Sequence, residues 1–86
     1  MKGFLRTSSF ERDYARLPQY IKDAFWKQVA LLFSDPRHPS LDIKKLKGRR
    51  ELWWGKITRG YRFTFQVEGE FFLFRRIGPH DILKKP

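Results

Sequence analysis

Between residues 52 and 77 apolar and polar side chains alternate with a period of two, and this rhythm constrains the fold more than any other feature of the chain. In Tyr61-Arg62-Phe63-Thr64-Phe65-Gln66-Val67, the residues Tyr61, Phe63, Phe65 and Val67 share one face of a strand, and Arg62, Thr64 and Gln66 share the other. In the preceding run, Leu52 to Thr58, Trp53, Gly55 and Ile57 oppose Trp54, Lys56 and Thr58. A third run covers Glu70 to Ile77, with Arg59-Gly60 and Glu68-Gly69 as the connecting turns. The pattern predicts a three-stranded antiparallel meander that stops at Gly78-Pro79. The tail His80 to Pro86 has room for one helical turn at most.

Upstream the period changes to that of a helix. Gly3 to Thr7 reads as a short first strand. Ser8 and Glu11 then have the spacing of a capping box, with Ser8 as N-cap, and Phe10, Tyr14 and Leu17 form one stripe. Pro18 ends that helix and opens the next, which runs to about Phe33 with Ile21, Phe25, Val29 and Leu32 inward, beside Ala24 and Phe33. Lys22, Asp23, Lys27 and Gln28 take the other side, and Ser34-Asp35-Pro36 stops the helix. Arg37 to Arg50 reads as a loop, long for so small a domain, and long loops in compact domains often carry function. The fold class is therefore α+β: an N-terminal strand and a helical hairpin packed on a small antiparallel sheet. The 86 residues make one domain, 1–86, with one core.

Composition narrows the function classes. Aromatic residues make up 17% of the chain, enough for a small core to reach stability despite a net charge of +10. Without cysteine there is neither a disulfide framework nor a thiolate metal site. His38 and His80 are the two histidines and stand far apart, so no metal or other cofactor is expected. No apolar run approaches a membrane span or a signal sequence, which makes the cytoplasm the expected compartment. The charge is concentrated: Arg37, Lys44, Lys45, Lys47, Arg49, Arg50, Lys56, Arg59 and Arg62 face only Asp42 and Glu51 in the same segment. Such clustering suits a polyanion, though a solvated surface that only aids solubility has the same composition.

The second sheet face should thus carry Trp54, Lys56, Arg62, Thr64 and Gln66, and aromatic and cationic groups together can stack bases and hold phosphates. RNA can be cut without a metal if a base takes the ribose 2′-hydroxyl proton, cations stabilise the phosphate, and an acid protonates the departing oxygen. His80, just past the third strand, has a side chain suited to acid or base work, and a surface histidine near the chain end is the plain alternative. Arg62 can grip a phosphate with its planar fork, and Lys56 stands beside it by alternation. Lys44, Lys45, Lys47, Arg59 and Arg76 can hold phosphate, and Trp54 can stack a base while Trp53 joins the core. A register slip of one residue would exchange the two tryptophans.

Several stretches resemble the RelE/ParE superfamily, the toxins of bacterial and archaeal toxin–antitoxin pairs. They are Phe10-Glu11-Arg12-Asp13-Tyr14 with Leu17-Pro18, Leu46-Lys47-Gly48, Leu52-Trp53 and Lys56-Ile57-Thr58, Gly60 to Phe65, and Arg76-Ile77-Gly78-Pro79-His80-Asp81. Their order and spacing cover nearly the whole chain and are closest in pattern to the YafQ-like, YoeB-like and RelE-like mRNA interferases. The resemblance implies a microbial-ribonuclease-like fold, an endoribonuclease acting on mRNA at the ribosome, and a cognate antitoxin with an acidic segment. It matches Arg62 to the phosphate-binding strand arginine and His80 to the C-terminal histidine of acid–base work. The tail Ile82 to Pro86 departs from the pattern, because it has no Tyr or Phe where cutting members often place an aromatic residue. A ParE-like inhibitor of DNA gyrase, or an RNA- or ribosome-binding module without cleavage, remains the alternative.

Overall fold

The computed structural model describes residues 1–48 and 51–86. Arg49 and Arg50, the last two basic residues of the loop, lie outside the described residues. The elements are β1 (Gly3–Arg6), α1 (Ser8–Ala15), α2 (Gln19–Ser34), a 3₁₀ turn (Pro39–Leu41), β2 (Lys44–Lys45), β3 (Trp53–Thr58), β4 (Tyr61–Glu68), β5 (Phe71–Pro79) and a C-terminal 3₁₀ turn (His80–Lys84). The strands form one sheet in the order β1-β5-β4-β3-β2. It is antiparallel except for β1, which runs parallel to β5 with Gly3 opposite Phe71 and Arg6 opposite Phe74.

The predicted meander is present, with Lys56 beside Arg62 as alternation requires. Trp53 lies opposite Phe65, Trp54 opposite Thr64, and Lys56 opposite Arg62. Gly55 is required where it stands, since a Cβ there would meet the Phe63 ring at 2.6 Å. Phe10, Ile21, Phe25, Leu32, Phe63, Phe74 and Ile77 make the buried centre between the two helices and the sheet. Each such side chain contributes about 1.5–3 kcal/mol on burial. Trp26 covers its edge, donating its indole N–H to the Tyr14 hydroxyl at 2.7 Å.

Five local expectations are corrected. The cap of α1 is Thr7, not Ser8: the Thr7 hydroxyl accepts from the Phe10 N–H at 3.0 Å and donates to the Arg75 carbonyl at 2.7 Å. Glu11 forms no capping box and pairs instead with Arg6 at 3.2 Å. Pro18 is the N-cap of α2, which begins at Gln19 and runs to Ser34. Gln28 does not face solvent; it is buried and donates to the Ser40 and Lys56 carbonyls at 3.0 and 2.8 Å. Lys44 and Lys45 are not loop but a short fifth strand, paired with Trp54 and Trp53.

The third strand of the meander also differs. β5 continues through Gly78 and Pro79, which pair with Arg62 and Tyr61. The register shifts between Thr64 and Phe65, so that Arg75 is an extra residue opposite them. Without that bulge, strict alternation would set Ile77 and Phe74 on opposite faces; with it both reach the core. β1 leaves β5 at Phe74, and α1 takes over the exposed edge, with Asp13 accepting the Ile77 N–H at 3.2 Å. Among the described residues no helix is long and apolar enough to cross a membrane.

Candidate nucleic-acid and catalytic site

The face of the sheet turned away from the helices has two halves. Over β4 and β5 it is closed by the tail. Ile82 is buried and packs on Gly78, where a Cβ would meet its Cγ2 at 3.0 Å. The Pro86 carbonyl accepts from Thr64 Oγ1 and Arg75 Nε, both at 3.4 Å. Thr64 is therefore 0% exposed, so the open outward position expected for it is corrected. Gln66 faces the same way and accepts from Arg75 Nη1 at 2.8 Å.

Over β3 and the end of β4 the face stays open, and Trp54 is its centre. The Lys44 ammonium lies 5.5 Å from the Trp54 ring centroid, and the Arg62 guanidinium carbon also lies at 5.5 Å. The His80 ring meets Trp54 edge-on, with centroids 6.3 Å apart and planes at 78°. Lys56 is the cross-strand partner of Arg62. Three chain segments thus converge on the indole that β3 presents. Each cation over the ring contributes about 0.5–1 kcal/mol at such partly exposed positions.

Arg62 is held without a carboxylate. Its Nη1 donates to the carbonyls of Thr58 at 2.7 Å, Tyr61 at 2.9 Å and Arg59 at 3.2 Å, which fixes the side chain against the β3–β4 turn. Its Nε is buried and has no partner among the described residues. A buried donor left unpaired costs about 1–3 kcal/mol. Asp42 pairs with Lys44, its carboxylate 3.8 Å from the Lys44 Nζ. It sits in the left-handed region at φ 45°, which turns the chain from the 3₁₀ turn into β2.

Other residues singled out from the sequence lie elsewhere. Lys45 reaches the opposite side of the sheet, its ammonium 5.7 Å from the Trp53 ring centroid. Lys47 is exposed in the turn after β2, and Arg59 is exposed in the β3–β4 turn. The Arg76 guanidinium makes two bonds to Asp13, at 2.6 and 3.1 Å, and a third to the Lys85 carbonyl at 3.0 Å. Hydrogen bonding to Asp13 raises the Arg76 pKa above its ordinary value, against the opposing cost of burial, with the charges of Asp13 and Asp81 adding to the rise. His38 caps the 3₁₀ turn, its Nδ1 accepting from the Ser40 N–H at 3.2 Å.

Sequence reasoning missed Gln28 and Asp42. Gln28 joins the 3₁₀ turn to the Lys56 backbone, and so sets the loop that delivers Lys44. A glutamine on a helix beside a lysine looks solvated, and nothing local distinguishes it. Asp42 had a signal, as the one acid just before the Lys44-Lys45 pair. Among the described residues no three His, Asp or Glu side chains converge as a bound metal would need.

No protein-family model matches the chain, and no curated protein matches it in sequence. Solved structures do. YafQ from E. coli strain BL21(DE3) superposes with a TM-score of 0.77 at 12% identity, over 93% of this chain and 94% of that one. The YoeB/ParE toxin from Agrobacterium tumefaciens gives a TM-score of 0.77 at 22% identity, over 93% and 99%. A chain of the RelB–RelE antitoxin–toxin complex from Methanococcus jannaschii gives 0.73 at 22% identity, over 93% and 94%. The likeness spans nearly all of each molecule at 12–22% identity, and what it establishes is that this chain has the fold of the RelE, YafQ and YoeB toxins.

Proposed function

We propose that the chain is the toxin of a toxin–antitoxin pair and acts in the cytoplasm as a ribosome-dependent endoribonuclease on mRNA. The observation that carries this reading is the gathering of Lys44, Arg62 and His80 around Trp54 on an open part of the outer sheet face. A base stacking on Trp54 displaces a cation from the ring, and that cation is then free to follow the attached phosphate.

The chemistry follows from what these groups can do. The nucleophile is the ribose 2′-hydroxyl, which belongs to the substrate. It loses its proton and attacks the adjacent phosphorus, and the bond from phosphorus to the 5′-oxygen breaks as that oxygen gains a proton. The products are a 2′,3′-cyclic phosphate and a free 5′-hydroxyl. His80 is the proton carrier at the edge of the site, Arg62 binds the phosphate with its fork, and Lys56 adds positive charge from the neighbouring strand. Lys44, Lys47 and Arg59 hold flanking phosphates. Every step uses protein side chains and the substrate, so the scheme calls for no metal.

The partner is an antitoxin with an acidic, partly flexible segment that covers the positive surface. DinJ–YafQ and RelB–RelE, whose toxins share this fold, are solved as toxin–antitoxin complexes, which supports the reading.

Induced expression of wild type, Arg62→Ala and His80→Ala, with primer extension on a reporter mRNA, tests the proposal. Growth arrest with new mRNA ends, lost in both variants at equal protein level, is the expected result. Arrest that survives both substitutions without new ends would favour a gyrase inhibitor, to be checked by a supercoiling assay. Normal growth with salt-sensitive RNA binding would leave a binding module.

A further inference from the structure

A strand cut between two nucleosides must rest on the protein on both sides of the scissile phosphate, and the Trp54 platform accounts for one side only. The strand order indicates where the other lies. Trp54 is on β3, Arg62 on β4, and His80 follows the end of β5, so the next surface in that direction is the edge of β5 that faces α1. No strand covers that edge among the described residues, because β1 leaves it at Phe74; α1 meets it instead, with Thr7 bonded to the Arg75 carbonyl and Asp13 to the Ile77 N–H.

A groove of about 330 Å³ runs there between α1, β5 and the C-terminal 3₁₀ turn, with Arg16, Leu17, Tyr61, Pro79, Asp81 and Ile82 on its walls. A second groove, of about 280 Å³, adjoins it across Arg76 and is walled by Asp81, Lys84 and Lys85. Asp13 also faces this region, but its charge is matched by the bidentate Arg76. Arg16, Lys84 and Lys85 are exposed and take part in no salt bridge among the described residues, leaving three cations against the single carboxylate of Asp81. Half-buried Tyr61 and exposed Pro79 offer flat apolar surface at the groove's near end, Pro79 being the residue before His80.

We propose that this groove is a second nucleotide subsite for single-stranded RNA. The strand crosses the ends of β4 and β5, with its scissile phosphate between Arg62 and His80. One base stacks on Trp54, the next nucleoside enters the groove against Tyr61 and Pro79, and its outer phosphate meets Arg16 and Lys84. The assignment rests on the ribonuclease reading and extends its footprint.

The test titrates the full chain, ¹⁵N-labelled, with a nucleoside 3′-phosphate and with a 2′-O-methyl tetranucleotide, which cannot be cut. The mononucleotide should shift the Trp54 indole alone. The tetranucleotide should also shift the Leu17, Ile77 and Asp81 amides. Arg16→Glu and Lys84→Glu should each weaken the tetranucleotide by about three- to tenfold, leave the mononucleotide unchanged, and lower the salt slope by about 0.7 per lost contact. Lys27→Glu makes the same charge change at an exposed α2 position outside the groove, and should have less than about a twofold effect on the tetranucleotide. If Arg16→Glu does no more than Lys27→Glu, or the groove amides stay still, the subsite is refuted while the Trp54 platform stands. If Trp54→Ala and Arg62→Ala leave both probes unaffected, the platform reading falls, and the subsite with it.

Discussion

Arg62 and Arg76 lie two register steps apart on neighbouring strands, and their surroundings are opposite in kind. At the α1–β5 corner Arg76 meets a carboxylate whose geometry fits its fork, and a tail carbonyl besides. At the β3–β4 corner Arg62 finds, among the described residues, only turn carbonyls, and one of its buried donors has no acceptor there. The first guanidinium already has its anion and ties three parts of the fold together. The second is positioned by the fold and lacks an anion, which is the condition for binding one from outside. The comparison teaches that a basic count says little; what matters is which cations the protein has already neutralised.

The comparison can be broken by exchanging loss of function with loss of stability. Arg62→Ala should lower RNA cleavage by about 10²–10³-fold, the usual cost of one transition-state donor, while leaving the thermal midpoint nearly unchanged. A large fall in melting temperature would show that Arg62 is a structural tie after all. Arg76→Ala should do the reverse, costing about 2–3 kcal/mol because Asp13 is left partly buried and unpaired, with any fall in cleavage following the folded fraction. Thermal denaturation of an 86-residue domain should then show a drop of about 4–8 °C per kcal/mol. Arg76→Lys should not restore it, since an ammonium cannot make the paired bonds. Because the raised Arg76 pKa keeps that group charged, its contribution is complete below the unfolded value and lost only as pH rises through the folded one. Melting curves should therefore show no loss from this pair between pH 7 and about 10.

Smaller effects sharpen the picture. Trp54→Ala should weaken single-stranded RNA by about 1–3 kcal/mol, measured by fluorescence anisotropy, whereas Trp54→Phe should retain part of that binding. Gly78→Ala should press on Ile82 and shift the tail, costing about 1 kcal/mol of stability and moving His80 away from Trp54. A cleavage rate unchanged in that variant would argue that His80 does not depend on the tail for its place. Lys44→Ala is expected to have the least effect, about 0.5–1 kcal/mol on RNA binding, as befits one exposed cation over the ring.

Much of this was legible in residue order. Alternation alone set Trp54, Lys56 and Arg62 on one face and Trp53, Phe63 and Phe65 on the other, because the core demands a single register. His80 was added by its place just past the third strand and by its side-chain chemistry, since alternation does not carry across Gly78-Pro79, and the resemblance gave it a matching role. What remained hidden depended on contacts between distant segments. Thr7 rather than Ser8 caps α1 because its hydroxyl also reaches Arg75. Gln28 is buried because two carbonyls await it. Arg76 looked like one more phosphate ligand because nothing near it in sequence reveals Asp13. The adjacent Arg75-Arg76 pair did break the alternation, and that break was the visible trace of the bulge.

The parallel pairing of β1 with β5 has a consequence in time. The Thr7 hydroxyl bonds to a carbonyl 68 residues further on, and β1 has no other strand beside it. Contacts of such sequence separation form late and raise the folding barrier. A nascent chain therefore cannot close its sheet until β5 has left the exit tunnel, and His80 lies further along still. The surface that joins His80 to Arg62 and Trp54 therefore forms only after β5 is out of the tunnel.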